Sequence, residues 1–276
     1  MAEQYQRFVA LGDSQTEGLN DGDDTSGVRG WADRFVDNLA RTTSPDLTYA
    51  NLAVRGCRAR HVLEVQLPVA LALQPDLAVV AVGMNDMLRH DFDLEETVGQ
   101  VEQTIAALTE TGCRVLTMSF PDVALMLPVM AWLRPREVEL NRRLLEVATQ
   151  YGATVLDLFP LALAGDPAMW SHDRIHGSSV GHSTIAAGMA EAMGLPGSDH
   201  SWAETAYRPY STLEVVVRDA RWLATFVAPF LYRQLLGRGS GTGRTGKRLE
   251  LTRVLDDGKD GGNDDGRPTL SGEAAV

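Results

Sequence analysis

The sequence predicts an α/β protein in which a five-stranded parallel sheet carries helices on both faces. Two observations carry this expectation. Between residues 8 and 193, short apolar runs alternate five times with longer stretches of helical periodicity, the pattern of consecutive βα units. The run Leu-Ala-Val-Val-Ala-Val at 77–82 has no polar face, as befits a central strand covered on both sides.

The elements follow in order. Residues 8–11 form the first strand and 12–30 a loop, with a turn at Asn20-Asp21-Gly22. Trp31, Phe35 and Leu39, four residues apart, mark an amphipathic helix over 31–41. Residues 47–52 are the second strand, after the Ser44-Pro45 break, and Gly56 ends the next turn. A helix over 60–73 places Val62, Val65, Val69 and Leu73 on its core face and stops before Pro75. After the third strand at 77–82, a helix over 94–111 has Val98, Val101, Ile105 and Leu108 in phase and ends at Gly112. Strand 115–120, helix 135–151, strand 154–158 and a helix over 180–193 complete the alternation.

The character then changes. A helical pattern over 202–236 carries Leu213, Val216, Ala220, Leu223, Val227 and Leu231, with Pro229 dividing it. This stripe is expected to cover the preceding domain. From Gly237 the chain is rich in Gly, Asp and Arg and is expected to be disordered. The organisation predicted is therefore an α/β domain at 1–196, a helical extension packed on it at 197–237, and a disordered tail at 238–276.

Composition narrows the function. Hydrophobic residues make up 44%, enough for a sizeable core, and the net charge is −12. After position 237 there are seven basic and seven acidic residues, so the whole excess lies in the first 237. Such a body lacks the basic face that phosphates require, and no nucleic-acid partner is expected. Two cysteines, Cys57 and Cys113, make no disulfide framework. No apolar run reaches the ~18 residues of a membrane span, and the first seven residues hold no apolar signal core. A cytoplasmic protein is expected. The histidines show no metal-ligand spacing and no phosphate-loop pattern follows Gly12, so neither metal nor organic cofactor is expected. Nothing indicates a homo-oligomer.

The chemistry concentrates at strand ends. Ser14, in Gly12-Asp13-Ser14, follows the first strand. A serine hydroxyl becomes a useful nucleophile only beside a base. His176 is the candidate base, and Asp173, three residues earlier, is placed to hold its other ring nitrogen. Acyl transfer also needs donors for a developing oxyanion, and the Ser14 N–H, the Gly56 N–H and the Asn85 side-chain amide are the candidates. Asp13 reads as a structural residue behind Ser14, and His182 as a core or helix-end histidine.

Taken together, Gly-Asp-Ser after strand one, Asn-Leu-Ala-Val-Arg-Gly after strand two, Gly-x-Asn-Asp after strand three and Asp-x-x-His near the end resemble the SGNH (GDSL-type) hydrolase family over about residues 7–195. Arg29 to Asp33, Asn51 to Gly56 and Asp173 to His176 look like a bacterial, actinobacterial-type esterase-like subgroup. The resemblance implies a flavodoxin-like three-layer α/β/α sandwich. It also implies a Ser14, Asp173, His176 triad and an oxyanion hole of Ser14, Gly56 and Asn85. Two positions depart from the family pattern: Met84 stands where glycine is common, and Gly177 where a larger apolar residue is common. The apolar stretch 123–133 reads either as core packing or as an acyl-chain wall. The candidate substrate contacts are Met84, Met126, Met130 and Trp132. The expected function is a serine esterase or deacylase acting on an ester of a small molecule, a lipid or an acylated carbohydrate. An O-acyltransferase would use the same residues, and a non-catalytic binding protein is the third reading.

Overall fold

The five apolar runs form parallel strands: β1 (Arg7–Gly12), β2 (Thr48–Asn51), β3 (Leu77–Ala81), β4 (Arg114–Met118) and β5 (Thr154–Leu156). The structure, a computed structural model, describes residues 3–25, 27–204, 211–227 and 243–255. The helices are α1 (Ser14–Glu17), α2 (Trp31–Thr42), α3 (Ala59–Ala72, with a π turn at Val62–Gln66), α4 (Met84–Met87), α5 (Leu94–Glu110), α6 (Val123–Met126), α7 (Arg134–Gln150), α8 (Ser179–Ala192) and α9 (Thr212–Trp222). Among the described residues, no helix is long and apolar enough to cross a membrane.

Alternation along β1 sets up the three layers. Val9 and Leu11 face a core shared with α3, α5 and α7, including Val62, Ile105 and Leu140. Phe8 and Ala10 face the other side, packed with Trp31, Phe35 and Leu39 of α2 and Met189 of α8. With a sixth strand, β6 (Arg248–Arg253), the strand order is β5-β4-β3-β1-β2-β6. The order of the five parallel strands reverses at β1, so the loops after β1 and β3 flank a crevice at the carboxyl end of the sheet.

The sheet has six strands rather than five. β6 (Arg248–Arg253) pairs antiparallel with β2, with Thr48 opposite Arg253 and Asn51 opposite Arg248. It comes from the tail expected to be disordered. Its sequence carries little apolar surface, but its cations meet the acidic body. Arg244 pairs with Asp24 at 2.7 Å and Arg253 with Asp46 at 2.5 Å. The Lys247 ammonium donates to Glu17 O, Val28 O and Asp33 Oδ2. Leu251 reaches one core cluster and Val254 and Leu255 the other. The remainder of the tail, and the helical pattern beyond Val227 with Pro229 and Leu231, lie outside the described residues.

Two helix faces also differ from the periodicity. In α3 the wide turn shifts the register, so Val62, Gln66, Leu67 and Ala70 are buried while Val65 is 51% exposed. In α9, Leu213 is 73% and Val216 58% exposed, and the residue turned onto the domain is Trp222. The apolar stripe thus faces outward, because Arg174 and Asp173 of the domain offer α9 polar partners rather than an apolar groove.

Glu137 of α7 is fully buried; its Oε2 accepts the Val123 N–H at 3.0 Å and its Oε1 has no partner among the described residues. Burial raises its pKa from the ordinary 4.5 to about 8, against the pull of the Val123 N–H. Because the folded pKa is raised, this group's contribution to stability is complete below 4.5 and is lost as pH rises through about 8. Glu137→Gln has no such titration. Its stability relative to wild type, from urea unfolding, is expected to improve steadily between about pH 5 and about pH 8 and then level off; a gap that stays constant or narrows across that range contradicts the assignment.

Candidate active site

The site begins where β1 stops. Gly12 has φ +156°, and a Cβ there would lie 2.5 Å from Ala81 O and 2.7 Å from Thr16 Oγ1, so only glycine fits between β3 and α1. The buried Gln66 amide holds this residue at both ends, accepting from Gly12 N and donating to Gly12 O, each at 2.9 Å. Asp13 then caps α1, its Oδ1 accepting from Gln15 N at 3.1 Å. Ser14 is thereby the first residue of a helical turn at the sheet's carboxyl edge, in the crevice at the order reversal.

The loop after β2 is fixed by a buried ion pair. Glu17 Oε2 accepts the Arg55 N–H at 2.6 Å, and Oε1 accepts Arg55 Nε at 2.9 Å and Nη2 at 2.5 Å. Gly56 follows with φ +76°. After β3, Gly83 has φ +133°, so the unusual conformation falls on the glycine, and Met84 enters α4 with an ordinary helical backbone. The Met84 departure from the family pattern therefore imposes no backbone strain. Asp86 Oδ2 accepts from Ala59 N at 3.0 Å and ties this turn to the Gly56 loop. The Asn85 Nδ2 donates to Cys57 O at 2.9 Å and Asp13 Oδ2 at 3.2 Å. Asp13 is thus structural as expected. Its burial pushes the carboxyl pKa up to about 6, although the Gln15 N–H and the charge of His176 pull it down.

The third piece is the 171–177 loop. His176 Nε2 lies 2.8 Å from Ser14 Oγ, and its Nδ1 lies 2.6 Å from Asp173 Oδ2. Asp173 Oδ2 also accepts from Asn20 Nδ2 at 2.6 Å. Its Oδ1 accepts from Ser171 Oγ, Ile175 N and His176 N at 2.9, 2.9 and 3.0 Å. Burial by itself would raise the Asp173 pKa, but the hydrogen bond and charge of His176, with these N–H donors, hold it well below the usual carboxylate range. A carboxylate that stays ionised beside Nδ1 fixes the N–H on that nitrogen and leaves Nε2 to accept from Ser14. The hydroxyl, the imidazole and the carboxylate thus stand in line, an arrangement able to activate a serine hydroxyl.

A family model described as GDSL-like lipase/acylhydrolase matches residues 10–183. The chain belongs to that family. It is accordingly a carboxylic ester hydrolase of the GDSL, or SGNH, type, and the serine, acid and base positions read from the sequence fall inside the matched span. Among solved structures, the chain is similar to LAE5, an alpha/beta hydrolase enzyme from the metagenome of Lake Arreo, Spain, with TM-score 0.57 and 22% identity over 68% of this chain and 95% of that one. It is similar also to Axe2, an acetylxylan esterase from Geobacillus stearothermophilus, with TM-score 0.57 and 18% identity over 72% of this chain and 97% of that one. No curated protein sequence matches.

Several supports of this acylhydrolase site carry no motif. Gln15 Nε2 donates to Ile175 O at 2.7 Å and its Oε1 accepts from Gly177 N at 3.2 Å, so the residue beside Ser14 also holds the base's loop. Asn20, with φ +70°, was legible only as a turn residue. Gly177 packs on the buried ring of His182, whose Nδ1 accepts from Trp31 N at 3.2 Å; a Cβ there would come within 3.3 Å of that ring. The small residue suits the histidine behind it, and Gln15 bonds to Gly177 N from the other side. Burial lowers the His182 pKa to about 4, as suits a neutral core histidine.

The stretch 123–133 divides between the two readings. Val123, Leu127 and Leu133 are buried, and Met84, Met126 and Met130 pack against the core. Trp132 is 63% exposed. A cavity of about 200 Å³, lined in part by Leu125, Met126, Trp170, His172, Arg174 and Asp219, opens between this stretch, the 171–177 loop and α9.

Gln15→Ala removes two hydrogen bonds to the base's loop while leaving Ser14 and His176 in place. It is expected to lower stability by about 1–3 kcal/mol in denaturant unfolding and to speed amide exchange at Gly177 selectively. Unchanged protection at Gly177 would show that the loop is held by other contacts.

Proposed function

We propose that this hydrolase acts through an acyl-enzyme on Ser14, with an ester of a small molecule, a lipid or an acylated carbohydrate as substrate. The observation that carries the proposal is the continuous relay from Ser14 Oγ to His176 Nε2 at 2.8 Å and from His176 Nδ1 to Asp173 Oδ2 at 2.6 Å. Ser14 Oγ attacks the ester carbonyl carbon as its proton passes to His176 Nε2. The imidazolium, stabilised by Asp173, then protonates the leaving alcohol. Water, deprotonated by His176, releases the acid and restores Ser14.

The oxyanion falls to the N–H groups of Ser14 and Gly56 and to the Asn85 amide. Among the described residues neither backbone N–H has an acceptor, as expected of donors kept for a ligand. Asn85 is engaged, and its 3.2 Å bond to Asp13 is the longer of its two; the oxyanion takes that bond's place. The likeness to an acetylxylan esterase favours an acylated carbohydrate among the substrate classes. A cytoplasmic location belongs to the same reading, supported by the two free thiols, Cys57 and Cys113, which a reducing compartment would preserve.

Turnover of a series of p-nitrophenyl esters tests this reading and measures the preferred acyl length. Ser14→Ala is expected to lower kcat by about 10⁶ and Asp173→Asn by about 10⁴. Asn85→Ala is expected to lower it by about 10²–10³. Full turnover by purified Ser14→Ala protein sinks the mechanism.

A further inference from the structure

The triad's acid sits in a turn that closes on itself only through an unusual backbone. Arg174, between Asp173 and His176, has φ +59°, a conformation that side chains other than glycine rarely adopt. This conformation lets Asp173 Oδ1 accept the N–H groups of both Ile175 and His176 while Oδ2 meets the imidazole. A non-glycine residue stays there only where its surroundings hold it.

The holding group is α9. Trp222 Nε1 donates to Asp173 O at 2.7 Å in a buried hydrogen bond, so the helix grips the peptide that joins Asp173 to Arg174. The Arg174 guanidinium donates to Asp219 Oδ1 at 2.8 Å and to Arg218 O at 2.7 Å, and it lies 5.8 Å from the centre of the Trp222 ring. Asp219 and Trp222 are three residues apart, on one face of the helix. That face is turned onto the domain although the apolar stripe is not: Trp222 is buried and Asp219 half-buried, while Leu213 and Val216 are outside. A covering helix ordinarily turns its apolar stripe inward. α9 also lies beyond the residues matched by the family model, which ends at 183.

We infer that α9 is a clamp on the catalytic turn, with Trp222 as the positioning residue that sets the Asp173 carboxylate against His176 and Asp219 as its auxiliary through Arg174. The inference rests on the triad reading above. Removing the Trp222 N–H frees the Asp173 peptide to rotate, and a displacement of the order of 1 Å at the acid lowers turnover far more than it changes substrate binding.

The test is Trp222→Phe in the full chain, which keeps an aromatic ring and deletes the donor. The expected result is a fall in kcat of about ten- to a hundredfold with KM unchanged. The downfield proton signal of the His176 Nδ1–H hydrogen bond should broaden or vanish in the NMR spectrum. In an Asp173→Asn background, Trp222→Phe should cost nothing further, because the group it positions is already gone. Val216→Ala, on the outward face of the same helix, should leave kcat unaltered. The inference is overturned if Trp222→Phe retains wild-type kcat and the Nδ1–H signal, if its loss persists in the Asp173→Asn background, or if Val216→Ala loses as much. Asp219→Asn, at a partly exposed position, is read by the same criteria if Trp222→Phe does not fold. The NMR signal decides the clamp independently of turnover, so a wild-type protein inactive on every ester would count against the proposed function alone.

Discussion

One hydrogen bond, from Ser14 Oγ to His176 Nε2, joins loops 162 residues apart, and much of the domain serves to hold its two ends still. On the serine side the constraint is steric. β1 must run close enough to Ala81 that Gly12 has no room for a side chain, and Gln66 then clamps that glycine through both backbone groups. On the histidine side the constraint is polar. Asp173 accepts five hydrogen bonds among its two carboxylate oxygens, which keep it ionised in a buried place where a free carboxyl would take up a proton. Gln15 belongs to both sides, next to Ser14 in the chain and bonded to the loop of His176.

The C-terminal part of the chain acts on the same centre from two directions. α9 reaches the Asp173–Arg174 peptide, and the segment around β6 reaches the opposite loop. Lys247 caps the end of α1 at Glu17 O, and Arg244 meets Asp24, which also binds Arg55. The acidic body and the cations of the tail are therefore complementary. The charge asymmetry visible in composition has a structural use at the edge of the sheet, where β2 would otherwise present an unpaired strand.

The order of elements, the two-sided sheet and the residues that meet at the candidate site were legible because each leaves a local mark. Apolar runs give strands, four-residue spacing gives helices, and Ser14, Asn85 and His176 sit in short motifs just past them. What was not legible depends on contacts between distant residues. The π turn in α3 buries polar Gln66 because Gly12 needs it, and no periodicity announces that need. β6 alternates only at Leu249 and Leu251, of which Leu251 alone reaches the core, and it is otherwise held by ion pairs and a backbone ladder, so its sequence reads like a disordered tail. The face of α9 was predicted from its apolar stripe and is set instead by Trp222 and Asp219, whose partners lie in the turn of the triad. In Met84 the departure from the family pattern proved harmless, since the positive φ belongs to Gly83.

The central claim is that the buried Ser14 hydroxyl is the activated nucleophile of the site. The most direct measurement is treatment of the folded full-length protein with a fluorophosphonate, followed by mass spectrometry of its peptides. The account predicts one stoichiometric adduct, on Ser14, formed rapidly in the wild type and slowly in Asp173→Asn protein. An adduct on another residue, or none on Ser14 in folded protein, would contradict it.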